Sequence, residues 1–247
     1  MKESSGKLMK MLATNKLFSF PRQLVWKFIL KSVTAKNGDV VFYPDPEILK
    51  AVELTKQIKS EQEMLLAEVE AYQIYMTVKR TAAIKGDIAE VGVFKGSSAK
   101  LICEAKGEKT LHLFDTFEGL PEVGEFDDTK EFWKGRFEVL FDNVKNYLKA
   151  YPNVYFYKGL FPDTAGPVTN KNFSFVHLDV DLYECTLNCL KFFYPRMSKG
   201  GIIISHDYHQ PGVKKAFEEF FADKPEQPIE LPLYTFRPCA QCLMIKR

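Results

Sequence analysis

From Gly86 onward the chain alternates two hydrophobic patterns. The runs IAEV, TLHLF, NVYFYKG, FSFVHL and GIIIS are short and rich in β-branched and aromatic residues, and FSFVHL and GIIIS are too continuous for a half-exposed antiparallel strand. That is the pattern of strands buried on both faces of a parallel sheet. Between them lie stretches with apolar residues three and four apart: one opening at Ser97, FEVLFDNVKNYL, and ECTLNCLKFFYPRM closed by an SKGG turn. These predict helices, and the strand–helix–strand order predicts parallel pairing with right-handed crossovers. IELPLYTF and CAQCLMIKR supply two further strands, for seven in all. Upstream, PDPEILKAVELTKQI and MLLAEVEAYQIYMTVKRTAA are helical in pattern. The chain therefore divides into a helical cap or lid region over residues 1–80 and an α/β domain over 81–247.

The polar residues gather at strand ends. FSFVHLDVD and GIIISHDY place Asp179, Asp181, His206 and Asp207 at the carboxyl ends of two neighbouring strands, where open α/β sheets keep their chemistry. Singly, the two acids read as helix caps and His206 as a satisfied polar residue; four such groups at two adjacent tips point to a site. A second tip lies in GDIAEVGVFKGSSAK, where the strand Ile88–Val91 passes Glu90 and enters a turn bearing Gly92 and Gly96 before a helix opens at Ser97. Glycine allows close backbone approach, and a helix amino terminus offers free N–H groups, so this is a nucleotide-type cradle. GxGxxG is absent, which argues against a pyrophosphate. The next strand ends in Asp115, placed to accept ribose hydroxyls or to cap the FDTFEG loop.

IAEVGVFKGSSA, LHLFDTFEGLPE, HLDVDLYECT, YPRMSKGGIIISHDY and PGVKKAFEEFF together resemble the macrocin (TylF-type) O-methyltransferase family in order and spacing, over roughly Gly86 to Arg247. Its members are class I S-adenosylmethionine (SAM) enzymes that methylate sugar hydroxyls of antibiotics and related small molecules, typically with a divalent metal. The resemblance implies an α/β, Rossmann-like class I methyltransferase fold: a seven-stranded, mostly parallel sheet with the last strand antiparallel, helices on both faces, and an N-terminal helical cap that covers the cofactor as a lid. It implies SAM binding by Glu90, Gly92, Gly96, Ser97, Ser98, Asp115, Thr116, Gly159 and Asp179, a divalent cation (Mg or Mn) held by Asp179, His206 and Asp207, and Asp181 as the base. The family commonly has two adjacent acids where this chain has His206 and Asp207. Magnesium prefers oxygen donors, whereas imidazole suits manganese, iron, cobalt or zinc. Three readings stay open here: a different metal, His206 as the base with its ordinary pKa of about 6.5, or a branch that uses no metal.

Composition narrows the partners. At 247 residues, 46% hydrophobic, the chain can bury one catalytic core with an extra helical lobe. A net charge of +2, with no basic block in the sheet region, lacks the footprint of a nucleic-acid enzyme and favours a small-molecule acceptor. Five scattered cysteines read as reduced thiols of a cytoplasmic protein without a signal peptide, and the lone Cys239/Cys242 pair argues against a zinc site. Eight Lys and Arg residues between Lys2 and Lys36 alternate with apolar stretches and face Glu3 and Asp39. This stretch reads as a cap or homodimer contact, or as an amphipathic membrane-surface element, and is too short and lysine-rich in its apolar run to span a bilayer. The acidic segment after Gly119, with Phe126, Phe132 and Trp133, reads as a substrate-covering loop, its aromatics as core anchors or, for Trp133, a sugar platform. His177 reads as a core histidine, His112 carries no catalytic argument, and His209 lies in a loop where it can contact substrate. Two competing functions share these features: an NAD-linked sugar-nucleotide oxidoreductase, against which stand the missing GxGxxG and TyrxxxLys, and a SAM-binding protein without turnover.

Overall fold

The computed structural model describes residues 46–231 and 241–247, all within one compact unit. The basic N-terminal segment, Cys239 and most of the IELPLYTF run lie outside the described residues. Helices α1 (Pro46–Glu61) and α2 (Glu68–Arg80) are followed by β1 (Asp87–Val91), α3 (Ser97–Ala105), β2 (Leu111–Asp115), α4 (Phe141–Leu148) and β3 (Val154–Lys158). Then come a 3-10 turn (Asp163–Val168), β4 (Phe173–Leu178), α5 (Tyr183–Phe193), a 3-10 turn (Tyr194–Arg196), β5 (Met197–Ser205), α6 (Pro211–Phe221), β6 (Ile229–Leu231) and β7 (Gln241–Ile245).

The strands form one sheet in the order β3-β2-β1-β4-β5-β7-β6. β3, β2, β1, β4 and β5 pair in parallel, while β7 runs antiparallel between β5 and β6. The unbroken apolar runs are explained by two cores, one on each face. Ile88, Leu113, Phe175 and Ile204 meet Ala51 and Ile58 of α1, Ile74 and Tyr75 of α2, and Leu101 and Ile102 of α3. Alternate residues of the same strands, Ala89, Phe114, Val176 and Ile203, meet Leu190 and Phe193 of α5 and Phe217 and Phe221 of α6. Period-two alternation thus buries both sides of each central strand. Strand order reverses direction between β1 and β4, and a crevice opens at their carboxyl ends.

Three boundaries depart from the sequence pattern. The helix expected over FEVLFDNVKNYL starts only at Phe141: Phe137 sits at φ +69°, which α-helix geometry excludes, and Leu140, just before the helix, is extended at ψ 118°. The helix expected through Met197 stops at Phe193, and the SKGG turn is drawn into β5 as a bulge: Met197 pairs with Phe173 and Ile202 with Phe175, so extra residues are extruded on one strand. α2 begins at Glu68, where Glu70 Oε2 reaches back to accept the Ala67 N–H at 2.7 Å, the one half of a capping box that an alanine N-cap allows. Among the described residues no helix is long and apolar enough to cross a membrane.

Candidate active site

β1 enters the crevice through Glu90 and Val91 and leaves it at Gly92. A Cβ at Gly92 would stand 1.8 Å from the carbonyl oxygen of Asp179, and its φ is +87°, so only glycine lets the β1 and β4 tips come this close. Gly96 is the N-cap of α3, and Ser97 and Ser98 open that helix, both buried. The Ser97 hydroxyl donates to the Glu63 carbonyl at 2.5 Å, tying the start of α3 to the α1–α2 connection. Glu90 is fully buried, and its Oε1 lies 2.8 Å from Nδ1 of His177, its register partner on β4. Burial pushes the Glu90 carboxyl up in pKa, and His177 pulls against it. His177 is buried as expected of a core histidine, and is also the partner of a candidate cofactor acid.

Asp115 ends β2. Its Oδ2 accepts N–H groups of Val93 at 2.7 Å and Phe94 at 2.8 Å, and its Oδ1 accepts that of Phe117 at 2.6 Å. The carboxylate therefore braces the β1–α3 turn from below as well as capping its own loop. Burial raises its pKa against the pull of those three N–H groups. The Thr116 hydroxyl donates to the Gly119 carbonyl at 2.7 Å, and Gly159, at the β3 tip, donates its N–H to the Asp115 carbonyl at 2.9 Å. All these residues line one row of strand ends.

The second group stands beside it, at β4 and β5. Nδ1 of His206 lies 3.1 Å from Asp179 Oδ1 and 2.8 Å from Asp207 Oδ2. Asp181 and Asp207 adopt φ of +60° and +55°, the left-handed region that aspartate tolerates better than most residues and that recurs at functional sites. Burial acts on Asp179, Asp181 and His206, but the surrounding charges sort them. Burial, then the charges of Asp207 and Asp179, push the Asp181 carboxyl well above its ordinary range. For Asp179 burial is outweighed by His206, which holds the carboxyl below that range. For His206 burial is outweighed by Asp179 and Asp207, which hold the imidazole well above its ordinary value. Among the described residues, Asp179, His206 and Asp207 are the group that offers three metal-ligand atoms within 4.8 Å of one another. The 2.8 and 3.1 Å spacings suit neighbouring donors on an octahedral ion with bonds of about 2.1 Å.

Two residues that the sequence pattern did not single out tie other elements to these strand tips, Glu70 at His206 and Asp127 at the start of α5. Glu70 of α2 is 3% exposed, and its Oε1 lies 3.3 Å from Nε2 of His206, an ion-pair distance rather than a formed hydrogen bond. Asp127, in the acidic segment after Gly119, accepts the N–H of Tyr183 at the start of α5 with Oδ1, at 2.8 Å, and that of Gly124 with Oδ2, at 3.1 Å. The same segment is held by Gln210, before α6, whose amide donates to Glu131 Oε2 at 2.8 Å, and by Phe126 against Tyr183 at 4.8 Å between ring centres. Phe132 is buried, as an anchor should be, whereas Trp133 is 55% exposed. His209 is exposed beside Gln210. His112 pairs with Asp87 and Tyr157 at the opposite end of the sheet from the strand tips. Cys242 is buried within β7.

The family model described as Macrocin-O-methyltransferase (TylF) matches residues 67–236. The chain is similar to the demethyldecarbamoylnovobiocin O-methyltransferase of Streptomyces niveus, 32% identical over 155 residues, 56% of this chain and 59% of that protein. It is also similar to the 8-demethyl-8-(2,3-dimethoxy-alpha-L-rhamnosyl)-tetracenomycin-C 4'-O-methyltransferase of Streptomyces olivaceus, 29% identical over 152 residues, 56% of this chain and 58% of that protein. The matched region spans somewhat under two thirds of the length of these curated relatives. Among solved structures, the O-methyltransferase NovP superposes with a TM-score of 0.58 at 25% identity, over 70% of this chain and 78% of that one.

Proposed function

The chain belongs to the macrocin O-methyltransferase (TylF) family, and from that membership we propose that it transfers a methyl group from SAM to a hydroxyl of a small molecule, a sugar or glycosylated natural product, with a divalent cation assisting. The observation that carries the reading is the meeting of the Glu90–Gly96 turn with the Asp179, Asp181, His206 and Asp207 cluster across the β1–β4 switch point. The named relatives, one of them acting on a rhamnosyl compound, support a hydroxyl acceptor.

Methyl transfer to a hydroxyl is an in-line displacement: a C–O bond forms as the C–S bond breaks, and the hydroxyl proton must go to a base. SAM would supply the activated methyl at the Glu90–Ser98 turn, and a cation on Asp179, His206 and Asp207 would lower the pKa of the hydroxyl. Asp181 takes the role of proton acceptor in this reading. Without a cation its carboxyl is pushed up by burial and by the charges of Asp207 and Asp179; a cation on those two carboxylates would cancel their share, leaving burial to keep Asp181 a stronger base than a solvated aspartate. His206 is less suited to it, because both of its ring nitrogens already face carboxylates. Gly92 keeps the cofactor turn against the Asp179 tip, so the two halves of the site are held at fixed separation. The segment after Gly119, pinned over α5 and α6, supplies the wall that excludes water from the acceptor.

Calorimetric titration of the purified protein with SAM and with NAD, before and after chelation, tests the proposal. Micromolar SAM binding, followed by acceptor methylation that chelation suppresses, is expected. Binding of NAD with none of SAM would replace the methyltransferase by the oxidoreductase.

A further inference from the structure

Imidazole can ligate a metal only through a nitrogen that carries no hydrogen, so a histidine ligand needs something to hold its proton on the other nitrogen. A carboxylate ligand has no such requirement. The family's pair of adjacent acids is met here by His206 and Asp207, which raises the question of what fixes His206. Nδ1 is the nitrogen that points between Asp179 and Asp207, at 3.1 and 2.8 Å; without a cation it carries a hydrogen that it donates to Asp207, and a bound cation would take that hydrogen's place. Nε2 points the other way, out of the sheet and into α2, where Glu70 Oε1 waits 3.3 Å away. That oxygen is buried and makes no hydrogen bond of its own, while its twin, Oε2, is anchored to the Ala67 N–H. Nothing in the capping box needs Oε1, and leaving a carboxylate oxygen buried and unpaired is costly.

We propose that Glu70 is a positioning residue that holds the hydrogen of His206 on Nε2, so that Nδ1 completes a nitrogen-and-two-carboxylate cation site suited to manganese, iron or cobalt rather than magnesium. The inference rests on the methyltransferase reading for its purpose and on the Glu70–His206–Asp179/Asp207 geometry for its content. It also explains why the α1–α2 layer is joined to the catalytic tips: one residue both caps the helix and orients a ligand in the crevice.

Glu70→Gln separates the two jobs. The amide oxygen can still accept the Ala67 N–H, but the group facing His206 becomes an NH2 donor, which favours a hydrogen on Nδ1 and turns the wrong nitrogen toward the cation. With protein first stripped by chelation, titration with MnCl2 should show affinity falling about 10- to 100-fold in Glu70→Gln, the loss usual for a carboxylate behind a histidine ligand. The visible spectrum of added Co(II) should lose its nitrogen-ligand signature, with the melting temperature and SAM affinity unchanged. In a His206→Asp background, where no tautomer needs fixing, Glu70→Gln should leave manganese affinity undiminished, and the preference should move toward magnesium. Equal manganese affinity in wild type and Glu70→Gln, an equal loss in both backgrounds, or absence of Mn(II) and Co(II) binding to wild type would each overturn the assignment. Failure to bind SAM would instead remove the methyltransferase reading, because the metal titrations are made without it.

Discussion

Gly212 and Asp127 lie far apart in sequence and form one contact, and the sign of a single substitution tests it. Asp127 Oδ1 accepts the Tyr183 N–H at 2.8 Å, and a Cβ built on Gly212 would stand 2.1 Å from that same oxygen and 3.2 Å from Tyr183 Cβ. The acidic segment is therefore pinned where the amino ends of α5 and α6 converge, directly behind the loops that carry Asp181 and Asp207. Removing the carboxylate with Asp127→Ala deletes a charge-assisted bond to a helix-terminal N–H, worth about 1.5–3 kcal/mol, in a favourable position on the helix dipole. Part of that appears as lost stability and part as opening of the segment, so unfolding in urea should show a loss of about 1–2 kcal/mol. Gly212→Ala should also destabilise the native protein, because the methyl group evicts the carboxylate. In the Asp127→Ala background the conflict with the carboxylate is gone, and only the 3.2 Å approach to Tyr183 Cβ remains for a small shift to relieve; the same substitution should now stabilise by less than about 1 kcal/mol, the gain of alanine over glycine inside a helix being reduced in its first turn. The assay is a double-mutant cycle of urea unfolding curves with limited proteolysis after Gly119 as a local readout. If Gly212→Ala has the same sign in both backgrounds, Asp127 does not occupy that space and the segment is not clasped there.

Asp115→Ala should weaken SAM binding by more than tenfold and loosen the β1–α3 turn, since three backbone N–H groups lose their acceptor; calorimetry giving unchanged affinity would remove Asp115 from the cofactor site. Asp181→Asn should cut the turnover rate by about 10²-fold or more while leaving SAM affinity intact, the range for loss of a general base, and a KM effect with full kcat would reassign it to acceptor binding. Glu226 supplies a pH prediction: burial opposes its ionisation, but the Tyr194 hydroxyl, the Arg247 N–H and the Lys246 ammonium outweigh it and hold its carboxyl down to about 2. A depressed folded-state pKa contributes stability that is present above about 4.5 and lost as pH falls toward 2, amounting to about 1–2 kcal/mol after solvent screening. Acid-unfolding curves of wild type and Glu226→Gln should accordingly draw together from about pH 4.5 downward and converge as pH falls through about 2, and parallel curves would refute the linkage.

Much of the fold was legible because burial on both faces leaves an unmistakable signature. IAEV, TLHLF, FSFVHL and GIIIS have no polar alternation, and only a central strand of a covered sheet tolerates that. What failed was local: Phe137 takes a left-handed conformation that periodicity does not encode, and SKGG is turn chemistry that pairing with β4 recruits into a bulge. In both places tertiary contacts overrode intrinsic preference.

The site divides along the same line. Residues at strand tips could be read, because position on a strand fixes where a side chain goes: Asp179 and Asp181 follow β4, His206 and Asp207 follow β5, and parallel neighbours bring the tips together. Glu70 and Asp127 could not, because each acts on an element distant in sequence. Glu70 carried one local signal, its place in the capping box before α2, but that signal accounts for only one of its two oxygens. The other oxygen is the informative one. A helix cap on a surface helix needs no burial, whereas Glu70 is nearly inaccessible and directs its spare oxygen at His206. The departure from the family pattern at position 206 and an acid in the helical layer are thus two halves of one arrangement, and a sequence read strand by strand separates them.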